Sequence, residues 1–141
     1  MSKFAEVLTE LLLERGLTVA QFNKILGVGS STANHYVTGR YLPSVPLFVK
    51  IADYFGCTAD FLLGLEEENY PREFAVCPPF KDRLNALLDY YGVTRYRLQQ
   101  MTGIAESAMR YWAQGKTLPT MDSVIRIAEA LNCSVDFVLG R

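Results

Sequence analysis

The chain has 141 residues, half of them hydrophobic, and 14 Lys+Arg nearly balance 15 Asp+Glu for a net charge of −1. That length fits one ordinary domain or two very small ones, and the charge balance excludes both a histone-like polycation and an acidic disordered chain. Three Cys without C-x-x-C spacing argue against a disulfide framework and a zinc site. No apolar run approaches the length of a membrane span, and no secretory signal is visible. We therefore expect a cytoplasmic protein without metal, cofactor or membrane contact.

The first half of the chain predicts five short helices. Apolar residues at helical spacing begin at Phe4, and Gly16 is a left-handed cap for this helix. Thr18 and Gln21 form a capping box for the second helix. The expected segments are Phe4 to Gly16, Thr18 to Leu26, Ser30 to Thr38, Ser44 to Phe55 and Thr58 to Gly64.

Residues 65–79 have the composition of a linker. The segment opens with the acidic run Glu66–Glu68 and ends with Pro78 and Pro79, and such runs interrupt helices. We therefore expect a first domain over residues 1–64, a linker over 65–79 and a second domain over 80–141.

The second half repeats the first. A shift of 76 positions aligns residues 4–64 with residues 80–140 without a gap, and 18 of the 61 positions are identical. Gly56 aligns with Asn132, and these are the two residue types that tolerate a left-handed conformation at a helix end. The repeat predicts an all-α protein made of two tandem five-helix domains.

Residues 18–39 and 94–115 each have the form of helix, short turn and helix, with glycine at the turn. The chain resembles the Cro/lambdoid-repressor (XRE-type) helix-turn-helix family. The residues that carry the resemblance in the first copy are Phe22, Leu26, Gly27, Val28, Ser31, Thr32, Tyr36, Gly39, Arg40, Pro43, Ser44 and Leu63. Those in the second copy are Leu98, Gly103, Ile104, Ser107, Trp112, Gly115, Lys116, Pro119, Thr120 and Leu139.

The resemblance implies two lambda-repressor-like domains that bind double-stranded DNA, the third helix of each reading base edges in the major groove. The family usually has Gln at the start of its second helix, where Val19 and Arg95 stand here. It usually has Ser or Thr at the N-cap of the third helix, where we expect Gly29 and Ala105.

The residues that the resemblance assigns to DNA fall into two groups. The base-reading residues are Ser30, Ser31, Asn34, His35, Glu106, Ser107, Arg110 and Tyr111. The phosphate contacts are Lys24, Arg40, Tyr41, Arg95 and Lys116. For His35, base contact and a plain surface position remain open.

The charge distribution is an independent indication of DNA binding. Residues 18–44 carry +2 and contain no acid, whereas residues 94–120 carry +3 with Glu106 as their one acid. The two windows together carry +5, so the remainder of the chain carries −6. A duplex backbone favours such local positive potential regardless of total charge.

The leading prediction is a transcriptional regulator, most simply a repressor, that binds DNA as an internal pseudo-dimer or as a homodimer. The alternative is a protein-interaction or oligomerisation module in which one or both copies have lost DNA binding. An exposed apolar patch on the third helices would favour that alternative, and a basic rim would favour DNA. The sequence contains no recognisable catalytic arrangement, so we predict no enzyme.

Overall fold

The computed structural model describes residues 3–141, which form ten α-helices and no strand. The chain divides into two compact units between Arg72 and Glu73. The first unit contains α1 (Phe4–Glu14), α2 (Val19–Leu26), α3 (Thr32–Val37), α4 (Val45–Phe55) and α5 (Ala59–Leu62). The second contains α6 (Phe80–Tyr91), α7 (Arg95–Thr102), α8 (Glu106–Ala113), α9 (Met121–Leu131) and α10 (Val135–Leu139). The predicted all-α fold of two five-helix units is confirmed.

Side-chain caps set the first residue of several helices. At α2 the backbone N–H of Gln21 donates to the Thr18 hydroxyl at 3.1 Å, and the Thr18 N–H donates to the Gln21 carboxamide at 2.8 Å. The capping box predicted from Thr18 and Gln21 is therefore present. Hydroxyl caps of the same kind begin four further helices, from Thr58, Thr94, Thr120 and Ser134.

Left-handed residues end α4 and α9 as predicted. Gly56 has φ +64° and Asn132 has φ +53°, and within residues 3–141 Asn132 is the one non-glycine residue with positive φ. Each directs its backbone N–H back to the carbonyls of the preceding turn. The two copies thus have the same left-handed backbone conformation at this position, although one has Gly56 and the other Asn132.

One aromatic side chain on the third helix of each unit packs against the first helix. Tyr36 on α3 meets the ring of Phe4 edge-on at 6.2 Å between centroids, and Trp112 on α8 meets Phe80 at 5.8 Å. Both are 4 % exposed. Burial, followed by the neighbouring Tyr41, raises the pKa of the Tyr36 phenol above its ordinary value. Both aromatic residues therefore belong to the core, as their shared repeat position predicts.

The segment that we expect to be a linker packs on both units. The Asn69 carboxamide accepts from the Thr58 N–H at 3.0 Å and donates to the Gly56 carbonyl at 3.4 Å, so it continues the first unit. In the second unit, the Arg141 guanidinium carbon lies 3.8 Å from the ring centroid of Phe74.

The start and the end of each unit are joined, but by different groups. In the first unit the backbone N–H of Lys3 donates to the Leu63 carbonyl at 3.0 Å. The equivalent of Lys3 is Pro79, which has no N–H. In the second unit Arg83 instead donates to the Val138 carbonyl at 3.3 Å and to the carbonyl of Phe137. A side chain of α6 thus replaces a backbone donor.

Among the helices formed by residues 3–141, none has the length and apolar character that a membrane crossing would need.

We expect Gly56→Ala to destabilise the first unit by about 1–2 kcal/mol, because an L side chain at positive φ is strained. A Cβ at Gly56 would meet no atom within 4 Å, so the cost comes from the backbone alone. Gly56→Asn, which copies the second unit, is expected to cost less. Hydrogen exchange of the α4 amides in the full chain measures both losses. Equal losses for the two variants would contradict the explanation.

Candidate nucleic-acid interface

The helix-turn-helix consists of α2 and α3 in the first unit and of α7 and α8 in the second. We call α3 and α8 the reading helices. The two do not begin at equivalent residues. In the repeat alignment Glu106, the first residue of α8, corresponds to Ser30, whereas α3 begins at Thr32. The expected start at Ser30 is therefore two residues too early, and the expected N-cap Gly29 is wrong because Ser31 occupies that position. The Thr32 N–H donates to the Gly29 carbonyl at 3.1 Å, which closes a tight turn ahead of the helix.

A buried amide, Asn23 on α2, explains this late start. Its Nδ2 donates to the Ser30 carbonyl at 3.0 Å, and its Oδ1 accepts from the Ala33 N–H at 2.9 Å. Asn23 is 4 % exposed. The Ala33 N–H belongs to the first turn of α3, where no carbonyl of the helix itself is available. Asn23 therefore acts as the N-terminal cap of a reading helix from another helix.

Sequence reasoning missed Asn23. The one available signal is its position on the buried face of α2 between Phe22 and Leu26, because a buried polar side chain needs hydrogen-bond partners.

The second unit holds its reading helix differently. Ala105 is the N-cap of α8, as predicted, and its methyl group offers no acceptor to the helix. On α7 the Thr102 hydroxyl donates to the Leu98 carbonyl at 2.7 Å and accepts from the Ile104 N–H at 3.2 Å. The turn is thus fixed by a hydroxyl, and the first turn of α8 carries an acid, Glu106.

The structure places nearly every predicted site residue on the surface. His35 is half-buried, and all the others are exposed. The exposed base-reading candidates are Ser30, Ser31, Asn34, Glu106, Ser107, Arg110 and Tyr111. The exposed phosphate candidates are Lys24, Arg40, Tyr41, Arg95 and Lys116.

Four of the first unit's candidates come together at the C-terminal end of α3. The rings of His35 and Tyr41 lie 5.1 Å apart between centroids, and the Arg40 N–H donates to the His35 carbonyl at 2.9 Å. Asn34, His35 and Arg40 line a shallow open depression with Thr38. The site combines an aromatic surface with one cation and hydrogen-bonding side chains.

In the second unit the candidates form a cation–aromatic cluster. Arg110 pairs with Glu106 one turn earlier at 2.9 Å, and its guanidinium carbon lies 5.5 Å from the centroid of the Tyr111 ring. Lys116 Nζ lies 5.8 Å from the same ring. Two cations therefore lie within cation–π distance of one aromatic ring of the reading helix.

The first turn of α7 adds positive charge. Arg95 and Arg97 are both exposed there, and the Arg97 N–H is capped by the Thr94 hydroxyl at 3.1 Å. Arg97 contributes to the charge of this window but is absent from the predicted phosphate contacts. Its place in the same helical turn as Arg95 is the signal that could have added it.

We expect Asn23→Ala to destabilise the first unit by about 1–3 kcal/mol, because the buried Ala33 N–H loses its acceptor and the Ser30 carbonyl loses one of its donors. Asn34→Ala is the matched control, since Asn34 bonds to the same Ser30 carbonyl at 3.4 Å but is exposed. Its loss is expected to stay within about 0.5 kcal/mol. Exchange of the Ala33 amide in the full chain reports both effects, and an unchanged rate in Asn23→Ala would refute the capping role.

Comparisons with known proteins agree with this geometry. A helix-turn-helix family model matches residues 8–62, and a model described as the Cro/C1-type HTH DNA-binding domain matches residues 83–136. No curated protein and no solved structure matches the chain. Each match spans the two helices that carry the candidate residues of its unit together with most of the surrounding bundle. The chain therefore belongs to the Cro/C1 (XRE-type) helix-turn-helix family, with two such domains in tandem.

Proposed function

We propose that the protein is a sequence-specific DNA-binding transcriptional regulator, acting as a repressor that blocks polymerase access. The observation that carries the proposal is the exposure of every Lys and Arg in the two helix-turn-helix segments, residues 18–44 and 94–120, which contain one acid between them. Residues 18–44 and 94–120 together carry +5 in a chain whose net charge is −1. The segments that would face a duplex are thus those in which acids are rarest.

The proposed roles of the side chains follow from their chemistry. Asn34 would pair with adenine and Arg110 with guanine, each through two hydrogen bonds, and Glu106 would accept from cytosine N4. Ser30, Ser31, His35, Ser107 and Tyr111 would contact neighbouring base edges. Lys24, Arg40, Tyr41, Arg95 and Lys116 would bind phosphates and fix the register of each domain. Because the two base-reading sets differ, a single chain would prefer an asymmetric site or would bind mainly through one of its domains.

The distribution of exposed apolar side chains favours DNA over a protein partner at these helices. Within residues 32–37 and 106–113 the one large exposed hydrophobic side chain is Tyr111, and its ring holds Arg110 and Lys116. A docking face for another protein would present a contiguous apolar patch instead.

Genomic DNA selection with the purified full chain tests the function. We expect a recovered fragment to bind with a steep dependence on salt, because phosphate contacts release counterions. One chain per fragment would indicate an internal pseudo-dimer, and two would indicate a homodimer. Failure to retain any DNA at about 50 mM salt, together with a stable complex with another protein, would establish the interaction-module alternative.

We expect Arg110→Ala to weaken binding to the selected fragment by about 1–3 kcal/mol and to relax base preference at one position. Arg126→Ala is the control, because it removes the same charge from an exposed site on α9, outside residues 94–120. Repeating the selection with each variant measures the preference. Equal weakening on every sequence would rule out base reading by Arg110.

Lys116→Ala should weaken binding about equally on all sequences and lower the slope of log K against log salt by about 0.9, the value of one phosphate contact. Salt titrations of the variant, the original chain and Arg126→Ala provide the comparison. A slope that matches that of the original chain would show that Lys116 touches no phosphate.

A further inference from the structure

The ion pair between Glu106 and Arg110 lies on the exposed side of α8. Their side chains are 56 % and 44 % exposed, and the atoms that join them are 2.9 Å apart. The equivalent residues of the first domain are Ser30 and Asn34, which carry no charge. The second domain therefore places an acid beside Arg110, in a segment, residues 94–120, that contains no other acid.

This ion pair favours a position of the Arg110 side chain beside Glu106 but does not fix the side chain there. An exposed pair of this kind contributes about 0–1 kcal/mol, so a better partner can replace it. A phosphate oxygen would have to compete with the Glu106 carboxylate for the guanidinium, and the carboxylate would also repel the phosphate. Binding of Arg110 to an arbitrary stretch of backbone is therefore penalised.

A suitable base step removes that penalty. Guanine offers Arg110 two acceptors, O6 and N7, and cytosine N4 offers Glu106 a donor. Both charged groups of the pair can then be satisfied on DNA, whereas the uniformly negative backbone satisfies only the cation.

We propose that Glu106 is a specificity-determining residue that suppresses non-sequence-specific binding by holding Arg110 away from phosphates. This inference rests on the proposed DNA-binding function and adds to it a discriminating role for an acid. The discrimination comes from repulsion of the wrong partner as much as from attraction to the right one.

A purely structural role for Glu106 predicts the opposite result. Ala105 leaves the first turn of α8 without a side-chain cap, and an acid in that turn stabilises the helix. If this were the whole role of Glu106, its neutralisation would loosen α8 and weaken binding to every DNA. The sign of the effect therefore separates the two roles.

The test compares Glu106→Gln with Glu129→Gln in the full chain. Glu129 is exposed on α9, outside residues 94–120, so both variants remove one negative charge from the same domain. Binding is measured by salt titration on a mixed-sequence duplex and on the fragment recovered by selection. Arg110→Ala and the double variant Glu106→Gln/Arg110→Ala complete a cycle that shows whether the effect passes through Arg110. Melting curves of all variants confirm folding.

On the mixed-sequence duplex we expect Glu106→Gln to steepen the slope of log K against log salt by up to about 0.9. When the salt is lowered from about 1 M to about 0.1 M, the affinity of the variant should then rise up to about eightfold more than that of the original chain. Glu129→Gln should produce a much smaller change. Binding to the selected fragment should improve less, so that the ratio of the two affinities falls. In the Arg110→Ala background the substitution should lose most of this effect.

Three results would overturn the inference while leaving DNA binding intact. These are weaker binding of Glu106→Gln to both duplexes, equal effects of Glu106→Gln and Glu129→Gln, and an effect that persists without Arg110. If instead the original chain binds neither genomic nor mixed-sequence DNA at about 50 mM salt, the proposed function itself fails and the inference fails with it.

Discussion

A buried aromatic contact anchors each reading helix to the first helix of its bundle. At six and eight residues, α3 and α8 are far too short to be stable in water by themselves. Tyr36 against Phe4 and Trp112 against Phe80 attach them to the first helix of their bundles. Because these rings are buried on one side of the helix, the opposite side, with Asn34 or Arg110, is left to the solvent. This packing, together with the burial of Ala33 on α3 and Met109 on α8, determines which face of each helix is exposed.

The two domains share this packing but hold the start of their reading helices with different polar side chains. The first ties the residues ahead of α3 to Asn23, which caps the helix from inside the bundle and delays its start. The second starts α8 two residues earlier in the alignment and uses Thr102 to hold the turn. Side chains at aligned positions therefore do not have identical surroundings: Ser30 precedes its helix, and Glu106 begins one. Under the proposed function, this difference in backbone would add to the differences in residue type between the DNA preferences of the two copies.

Most of the fold follows from local features of the sequence. The capping box of Thr18, the left-handed ends at Gly56 and Asn132, and the apolar spacing of each helix act within a few residues, and the repeat supplies each of them twice. The late start of α3 was not predictable in this way, because the bonds of Asn23 depend on how α2 and α3 pack together. The same holds for Arg83, whose partners lie 54 and 55 residues away. At the candidate site, the family resemblance selected residues that the structure places on the surface, apart from the half-buried His35, and their contacts with DNA stay a prediction. The pairing of Glu106 with Arg110 was accessible from their spacing of four residues.

In each unit the polypeptide enters and leaves the bundle at the same place. A Cβ on Gly64 would come within 3.3 Å of the Lys3 Cα, and one on Gly140 within 2.8 Å of the Pro78 Cδ, so a residue ahead of the first helix lies against the last glycine in both units. A module whose ends adjoin can be copied and joined to its duplicate through a short connection without disturbing its interior. Tandem gene duplication would therefore have required no remodelling of either bundle, and each copy could afterwards acquire its own polar surface.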